Sequence, residues 1–299
     1  MAKSVQAPVV EKLTVAAVAR RIGVAPATLR TWARRYGLGP SGHEAGEHRK
    51  YRPEDLAKLI MMRRLIVAGV TPAEAAEQAL AHQGDLNLEQ IVKSVHDRSD
   101  VVDAIVSAAQ SLDHNFVEAL FRQEISQFGV IDSWHEVMVP VLIIVGDIWA
   151  QTGEGIEVEH LLSESITNVL RDFAREIKSP INPRPVLLAS VGEELHCLAL
   201  HALNAALAEI NIECQVMGAR TPLSALSTVV THSAPPAVFL WAQLAKNGDP
   251  IFFKDIPKVR PAPRVVLGGP GWDRDKCTEV AFAEDLALAC SEIKQAIGA

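Results

Sequence analysis

The sequence predicts a multidomain protein with helical and α/β parts, and three observations carry that prediction. Residues 1–82 hold 13 Lys/Arg against 7 Asp/Glu, whereas the remainder holds 16 against 29. From Leu86 to about Ser179, apolar residues recur at helical spacing and strand patterns are almost absent. After Pro183, continuous apolar runs alternate with helical segments, which is typical of a doubly wound parallel sheet. We expect a basic head, a helical middle and a C-terminal α/β sheet.

Composition narrows the class of protein. The chain has 299 residues, of which 48% are hydrophobic and 22% charged, and this fits two or three globular domains. No apolar run approaches the ~20 residues of a bilayer span, and the first residues lack the apolar core of a signal peptide. We therefore expect a cytoplasmic protein. The cysteines are widely spaced without a C-x-x-C pair, which disfavours a disulfide framework or structural zinc: Cys197, Cys214, Cys277 and Cys290.

The N-terminal module reads as a helix-turn-helix. Residues 13–22 predict a short amphipathic helix, Gly23 and Val24 a tight turn, and Pro26 the first position of a second helix over 26–36. The second helix carries Leu29 and Trp32 on its buried side and is otherwise rich in polar residues that can reach bases and phosphates in a major groove: Thr28, Arg30, Thr31, Arg34 and Arg35. A solvated basic face is the alternative interpretation.

A loop over 37–47 then leads to His48, Arg49, Lys50 and Tyr51, followed by a predicted helix start at Pro53. This stretch resembles the wing of MerR-family winged helices, in which an Arg and a Tyr are followed by Asp-Leu, here Asp55 and Leu56. The resemblance covers about residues 13–82 and implies double-stranded DNA as a partner, with Arg49 and Tyr51 among the contacts. Since no cysteine precedes Cys197, metal sensing by thiolates near the dimer helix is disfavoured.

The middle segment predicts an antiparallel four-helix bundle. Its candidate helices are 88–97, 100–112, 115–127, 131–150 and 156–178, with breaks near 113–114, 128–129 and 152–155. Trp149 ends one helix, and Glu159 and His160 lie in the first turns of the next, so one end of the bundle should hold all three. A Trp that plugs the bundle end, with Glu159 and His160 capping the next helix, is the structural alternative.

Trp149 and the Glu159-His160 pair resemble the "W-x9-EH" motif of cobalamin-binding photoreceptor regulators of the CarH/LitR type. The resemblance implies that these three residues cover the upper face of a corrin and hold its adenosyl group. Light-responsive members place a cobalt-ligating His directly after the Trp, whereas this chain has Ala150 there. A light switch of that kind is therefore not expected unless His135 or His160 replaces the missing ligand.

The C-terminal part predicts a Rossmann-like (flavodoxin-like) sheet. Strands are expected at 185–190, 212–217, 237–241 and 264–267, and helices at 196–209, 223–231 and 283–297. Ligands of such sheets bind at the carboxyl ends of the strands. Glu194 and His196 follow the first strand, where an imidazole can ligate a transition metal and a carboxylate can orient its ring. A histidine that merely packs at a helix start is the alternative.

These residues resemble the "E-x-H-x-x-G" loop of Rossmann-type cobalamin domains, which implies that His196 is the lower cobalt ligand in place of the cofactor's own base. Further matches to that family imply contacts with the nucleotide tail: Gly218, Thr221, Pro222, Gly268 and Gly269. Two positions depart from the family. Ala199 replaces the last glycine of the loop, and Ala242 replaces a serine whose lost hydrogen bond is worth about 1 kcal/mol.

The predicted organisation is a flexible tail (1–12), a winged helix-turn-helix (13–82), a helical cobalamin cap (83–179) and a cobalamin-binding sheet (184–299). The leading hypothesis is a homo-oligomeric transcription regulator, a dimer or tetramer, controlled by adenosylcobalamin. Its rival is a regulator of the same architecture with a degenerate cobalamin site. A cobalamin methyltransferase is a third class, which the basic head disfavours.

Overall fold

A computed structural model describes residues 13–41, 50–82, 88–92 and 98–298. The chain forms two compact units. The first contains Met1–Gln123 and Pro140–Leu162, and the second contains Glu124–Val139 and Ser163–Ala299. The predicted tail (1–12), Arg49 and most of the 37–47 loop lie outside the described residues, as do residues 93–97 of the first predicted middle helix.

The N-terminal module has the predicted helix-turn-helix with two short wing strands. Its elements are β1 (Leu13–Thr14), α1 (Val15–Arg21), α2 (Pro26–Tyr36), β2 (Lys50–Tyr51), α3 (Pro53–Val67) and α4 (Pro72–Ala81). Thr14 caps α1 by accepting a hydrogen bond from the Ala17 amide at 3.2 Å. Gly23 makes the turn at φ +65°, a conformation that L side chains rarely adopt. Leu29 and Trp32 are buried, as predicted.

The middle of the chain is helical, with bounds that differ from the prediction by a few residues. Its helices are α5 (Leu88–Val92), α6 (Arg98–Gln110), α7 (His114–Ser133), α8 (Val139–Thr152) and α9 (Ile156–Arg175), with a π-helical turn over Trp134–Met138. The predicted break at 128–129 is confirmed, because Gly129 leaves helical geometry (φ 78°, ψ 171°) and separates two helical segments of α7 by a kink.

The helical stretch His114–Thr152 is long and apolar enough to cross a membrane. Its most apolar 18 residues have a mean hydropathy of 1.6, and 33% of that segment is buried. No run of this length was predicted from the sequence. Core helices show the same composition, and in this stretch Val137, Val141 and Val145 are buried within the protein. A single stretch of this kind is weak evidence for a membrane span.

The second unit contains a parallel five-stranded sheet in the order β4-β3-β5-β6-β7. The strands are β3 (Val186–Val191), β4 (Cys214–Thr221), β5 (Ala237–Trp241), β6 (Arg264–Gly268) and β7 (Ala281–Ala283), and the helices between and after them are α10 (Leu198–Glu209), α11 (Leu223–Ser233), α12 (Ile251–Lys254) and α13 (Leu286–Ile297). The predicted alternation is confirmed. The short α12 and β7 were not predicted, and β4 continues through the segment expected to be a loop.

Every side chain of β3 is buried, which explains its uninterrupted apolar sequence. β3 lies between β4 and β5, and its residues pair in parallel register with both neighbours. The core on one side of the sheet includes Leu187, Leu240 and Leu267, with Trp272 packed among them. This arrangement fixes the loops that follow β3, β5 and β6 at the same edge of the sheet.

Candidate functional site

The carboxylate of Glu194 is the centre of the site at this edge. Its side chain is fully buried. One oxygen, Oε2, accepts hydrogen bonds of 2.9 Å from the Gln243 amide, the Leu244 amide and Asn247 Nδ2. The other, Oε1, accepts from the His196 amide at 3.0 Å and from His196 Nδ1. Burial by itself raises the pKa of Glu194, but the bonds from Asn247, Leu244 and His196 outweigh it and hold that pKa at about 2.

Glu194 fixes the orientation and the tautomer of His196. Because an ionised carboxylate only accepts, the Nδ1 atom that faces Glu194 carries the ring proton. Nε2, the other ring nitrogen, is then the one placed to donate a lone pair to a metal. The His196 side chain is 56% exposed, so the ring is accessible. A hydrogen bond of 3.1 Å from Ser190 Oγ to the His196 carbonyl ties the loop back to β3.

Sequence reasoning missed the loop that holds Glu194 from the other side. Asn247 lies 53 residues from Glu194 in the chain and is buried. The next residue, Gly248, packs tightly against a second loop, since a Cβ there would lie 2.2 Å from the Gly271 carbonyl oxygen. In the sequence this region stood out through Ala242, which replaces the serine of the cobalamin-domain motif. That replacement does not indicate that the amides of Gln243 and Leu244 bind Glu194.

The residues after β3 also contact the end of β4. The Arg220 amide donates to the Glu194 carbonyl at 2.8 Å, and the Gly192 amide donates to the Thr221 carbonyl at 3.1 Å. Gly218 has φ +83° and open space where a Cβ would lie. Thr221 is buried, and Pro222 is exposed at the start of α11. The structure therefore brings Gly218, Thr221 and Pro222 to the edge where Glu194 and His196 lie.

Gly268 and Gly269 have close neighbours within the sheet. A Cβ on Gly268 would lie 2.4 Å from Phe239 Cζ, and one on Gly269 would lie 2.3 Å from the Ala242 carbonyl oxygen. Both glycines thus have a packing role, whereas their contact with a nucleotide tail stays a prediction. Beside them, the Trp241 indole Nε1 is buried and has no hydrogen-bond partner among the described residues. A buried unpaired donor at this edge suits a ligand that brings an acceptor.

Replacing Gly268 with alanine is expected to reduce the free energy of unfolding by about 1–3 kcal/mol, because overpacking a filled core costs that much. The added Cβ would press on the Phe239 ring. Chemical denaturation measures the loss. In a Phe239→Leu background the same glycine change should cost less, since the smaller side chain leaves room. Equal costs in both backgrounds would contradict this explanation.

Trp149, Glu159 and His160 lie on either side of the α8–α9 turn in the first unit. Trp149 is 50% exposed, and its carbonyl accepts from the Gly153 amide at 2.8 Å. His160 Nδ1 lies 2.9 Å from the Ile156 carbonyl and 2.9 Å from Glu159 Oε2, and its side chain is 73% exposed. The same turn borders a cavity of about 280 Å³ lined by Gln110 of α6. These side chains form an accessible surface and do not plug the helix ends.

The second helix of the N-terminal module presents a basic face. Arg30, Arg34 and Arg35 are exposed. Thr28 and Thr31 are half-buried, and the Thr31 hydroxyl donates to the Ala27 carbonyl at 3.1 Å. Tyr51 is buried in the module and pairs with Leu13 across β1 and β2. The arginines are therefore placed to reach phosphates and bases, whereas Tyr51 supports the wing from inside.

Two family models match this chain on adjacent segments. Residues 13–81 match the MerR HTH family regulatory protein, and residues 101–171 match the B12 binding domain. The chain thus combines a segment similar to the MerR helix-turn-helix family with a segment similar to the B12 binding domain. The first match covers α1 to α4 and includes the basic face of α2. The second covers α6 to α8 and most of α9, and it includes Trp149, Glu159 and His160.

Two curated relatives are similar to this chain over most of their length. The HTH-type transcriptional repressor CarH of Myxococcus xanthus is 27% identical over 260 residues, 84% of this chain and 84% of that protein. The HTH-type transcriptional repressor CarA of the same organism is 28% identical over 273 residues, 87% of each. Among solved structures, the monomethylamine corrinoid protein of Methanosarcina barkeri has a TM-score of 0.48 and 14% identity, covering 68% of this chain and 99% of that one.

Proposed function

We propose that this protein is a transcription regulator that binds double-stranded DNA through its N-terminal module and that responds to a bound cobalamin. The observation that carries the proposal is the Glu194–His196 pair, whose carboxylate leaves the exposed imidazole free to act as a metal ligand. The matches to the MerR and B12-binding families support both halves, and so does similarity to two transcriptional repressors over most of the chain.

In this proposal His196 is the lower cobalt ligand, and Glu194 orients it. When bound, cobalamin supplies a cobalt centre whose upper ligand can differ between two forms of the cofactor. Gly218, Thr221, Pro222, Gly268 and Gly269 are proposed to receive the nucleotide tail, and the unpaired Trp241 Nε1 offers it a donor. Trp149, Glu159 and His160 are proposed to contact the upper face, which favours adenosylcobalamin as the form that is bound.

The DNA contacts are proposed to come from Thr28, Arg30, Thr31, Arg34, Arg35 and Arg49, with the buried Tyr51 supporting the wing and making no contact of its own. A homo-oligomer, a dimer or tetramer, presents several such basic faces to one operator, so a change in assembly changes the affinity for DNA. We propose a cytoplasmic location, and we assign no catalytic residue because the regulator needs none.

The test is the affinity for DNA with and without adenosylcobalamin. DNA fragments are first selected by the protein from a random pool, and mobility shifts are then measured at fixed salt, since salt dominates such affinities. We expect a difference of about 5–150-fold between cofactor-loaded and cofactor-free protein, the usual range of allosteric coupling. Equal affinities would contradict the proposal.

The rival is a regulator whose cobalamin site is degenerate and which senses another ligand or acts through protein contacts. Ala199 and Ala242 favour it, because neither matches the family motif. Ala242 is fully buried, so the hydroxyl of the family's serine has no substitute at this point of the site. Failure to retain corrin, together with unchanged DNA binding, would support this rival.

A further inference from the structure

The DNA-reading module is joined to the helical segment by a buried cluster of charges. Arg63 and Arg64, near the end of α3, are each only 7% exposed. Arg64 donates to both oxygens of Asp113, from Nε at 2.9 Å and from Nη2 at 2.8 Å. Arg63 lies 3.8 Å from the same carboxylate and donates to the Ser107 carbonyl at 3.1 Å and to Ser111 Oγ. A bidentate pair of this kind fixes both partners in one geometry.

Asp113 belongs to the turn between α6 and α7, residues 110–113. Burial raises its pKa, but the hydrogen bonds and charge of Arg64 outweigh that effect and lower the pKa below its usual range. Asp113 also caps α7, since its Oδ1 accepts from the Phe116 amide at 3.4 Å. The Arg64 guanidinium lies 5.7 Å from the centre of the Phe116 ring. The cluster therefore holds the start of α7 as well as the turn.

The same turn contacts the helix-turn-helix directly. A Cβ on Gly23, which makes the turn between α1 and α2, would lie 2.8 Å from Ser111 Cβ. The positive φ of Gly23 already requires glycine or strain. A shift of residues 110–113 therefore displaces the turn that positions α2 or breaks its contact with Ser111.

The last residue of α6 also borders a cavity that the α8–α9 region lines. Gln110, the last residue of α6, lines the cavity of about 280 Å³ together with Ile148, Thr152 and Val158. These residues flank the α8–α9 turn. Trp149 lies before that turn, and Glu159 and His160 lie after it. Residues 110–113 thus lie between the surface proposed to meet the cofactor and the turn that positions the DNA-reading helix.

We propose that residues 110–113, held by Arg63 and Arg64, transmit the state of the α8–α9 turn to the helix-turn-helix. This inference rests on the proposed function, and it names the route by which cobalamin would alter DNA binding. A buried bidentate ion pair suits this role because it is either formed or broken and tolerates no gradual stretching. Asp113 and Arg64 are positioning residues that touch neither DNA nor cofactor.

The test compares the ratio of DNA affinities with and without adenosylcobalamin in three variants of the full chain. Asp113→Asn keeps the shape of the side chain and removes its charge. The double variant Arg64→Met/Asp113→Leu replaces the bidentate pair by apolar groups, while Arg63 keeps its hydrogen bonds to the Ser107 carbonyl and Ser111 Oγ, so it can fold even if the single variant does not. Glu284→Gln is the matched control, because it removes one carboxylate from the exposed pair with Arg274.

We expect both cluster variants to retain corrin as the wild type does, while their affinity ratio falls to about 1 from the wild-type coupling of about 5–150-fold. Glu284→Gln should keep the wild-type ratio. Full coupling in the double variant would overturn the inference and leave the proposed function standing. A wild-type protein that shows no effect of cobalamin would overturn both.

Discussion

His196→Ala is expected to reduce cobalamin affinity by at least about 100-fold. Loss of an outer partner of a metal ligand already costs about 10–100-fold in metal affinity, and this variant removes the ligand itself. Glu194→Gln should reduce cobalamin affinity by about 10–100-fold. This variant keeps the shape of the side chain but loses the charge that fixes the His196 tautomer. The measurement is corrin absorbance retained after desalting across a series of cofactor concentrations.

Glu193→Gln is the control for these two variants. Glu193 precedes Glu194 in the chain but is exposed and paired with Arg220. The Glu193→Gln protein should therefore bind corrin as the wild type does. Wild-type retention by His196→Ala would show that His196 is not the ligand. A Glu194→Gln protein with unchanged affinity would show that the buried carboxylate does not orient the ring.

Neutralising Arg30, Arg34 and Arg35 together should abolish detectable DNA binding at physiological salt. Each arginine is exposed on α2, and a phosphate contact contributes about 0.9 to the slope of log affinity against log salt. Each single change to Gln should therefore lower that slope by about 0.9 if the residue contacts phosphate. If the arginine instead binds a guanine, its replacement should cost about 1–3 kcal/mol of discrimination between the right and the wrong base at that base pair.

Titration of binding against salt concentration separates these two roles. Arg175→Gln removes an equal charge from an exposed helix position in the second unit and should leave the slope unchanged. If the triple variant bound DNA with the wild-type slope, the basic face of α2 would be a solvated surface only.

The local patterns of the N-terminal module predicted both helices of the helix-turn-helix, but residues 13–14, which were predicted to be helical, form β1, and α4 was not predicted. Pro26 set the start of α2 correctly, and the buried Leu29 and Trp32 fall on one face as their spacing indicates. Tyr51 shows the limit of a motif match. Its place in the wing was predicted, but its burial depends on the pairing with Leu13 across the strands, which the motif does not specify.

The sheet and its site show which features depend on distant contacts. The pair Glu194 and His196 was found from its motif, whereas the bond between Glu194 and Asn247 joins loops 53 residues apart and has no local pattern. The three-residue β7 is too short for a periodic pattern. The break predicted at Phe128-Gly129 is present as the kink at Gly129, whereas the π-helical turn over Trp134–Met138 was not predicted. The predicted domain boundaries stay a prediction.

The measurement that tests the central claim most directly is the electron paramagnetic resonance spectrum of the protein-bound cofactor in its Co(II) state. Protein is prepared with ordinary histidine and with histidine labelled with ¹⁵N, and unlabelled cobalamin is added to both. If His196 is the lower ligand, the superhyperfine triplets from ¹⁴N become doublets in the labelled protein. Triplets that persist with the label would show that the cofactor's own base remains the ligand, and this would contradict the account.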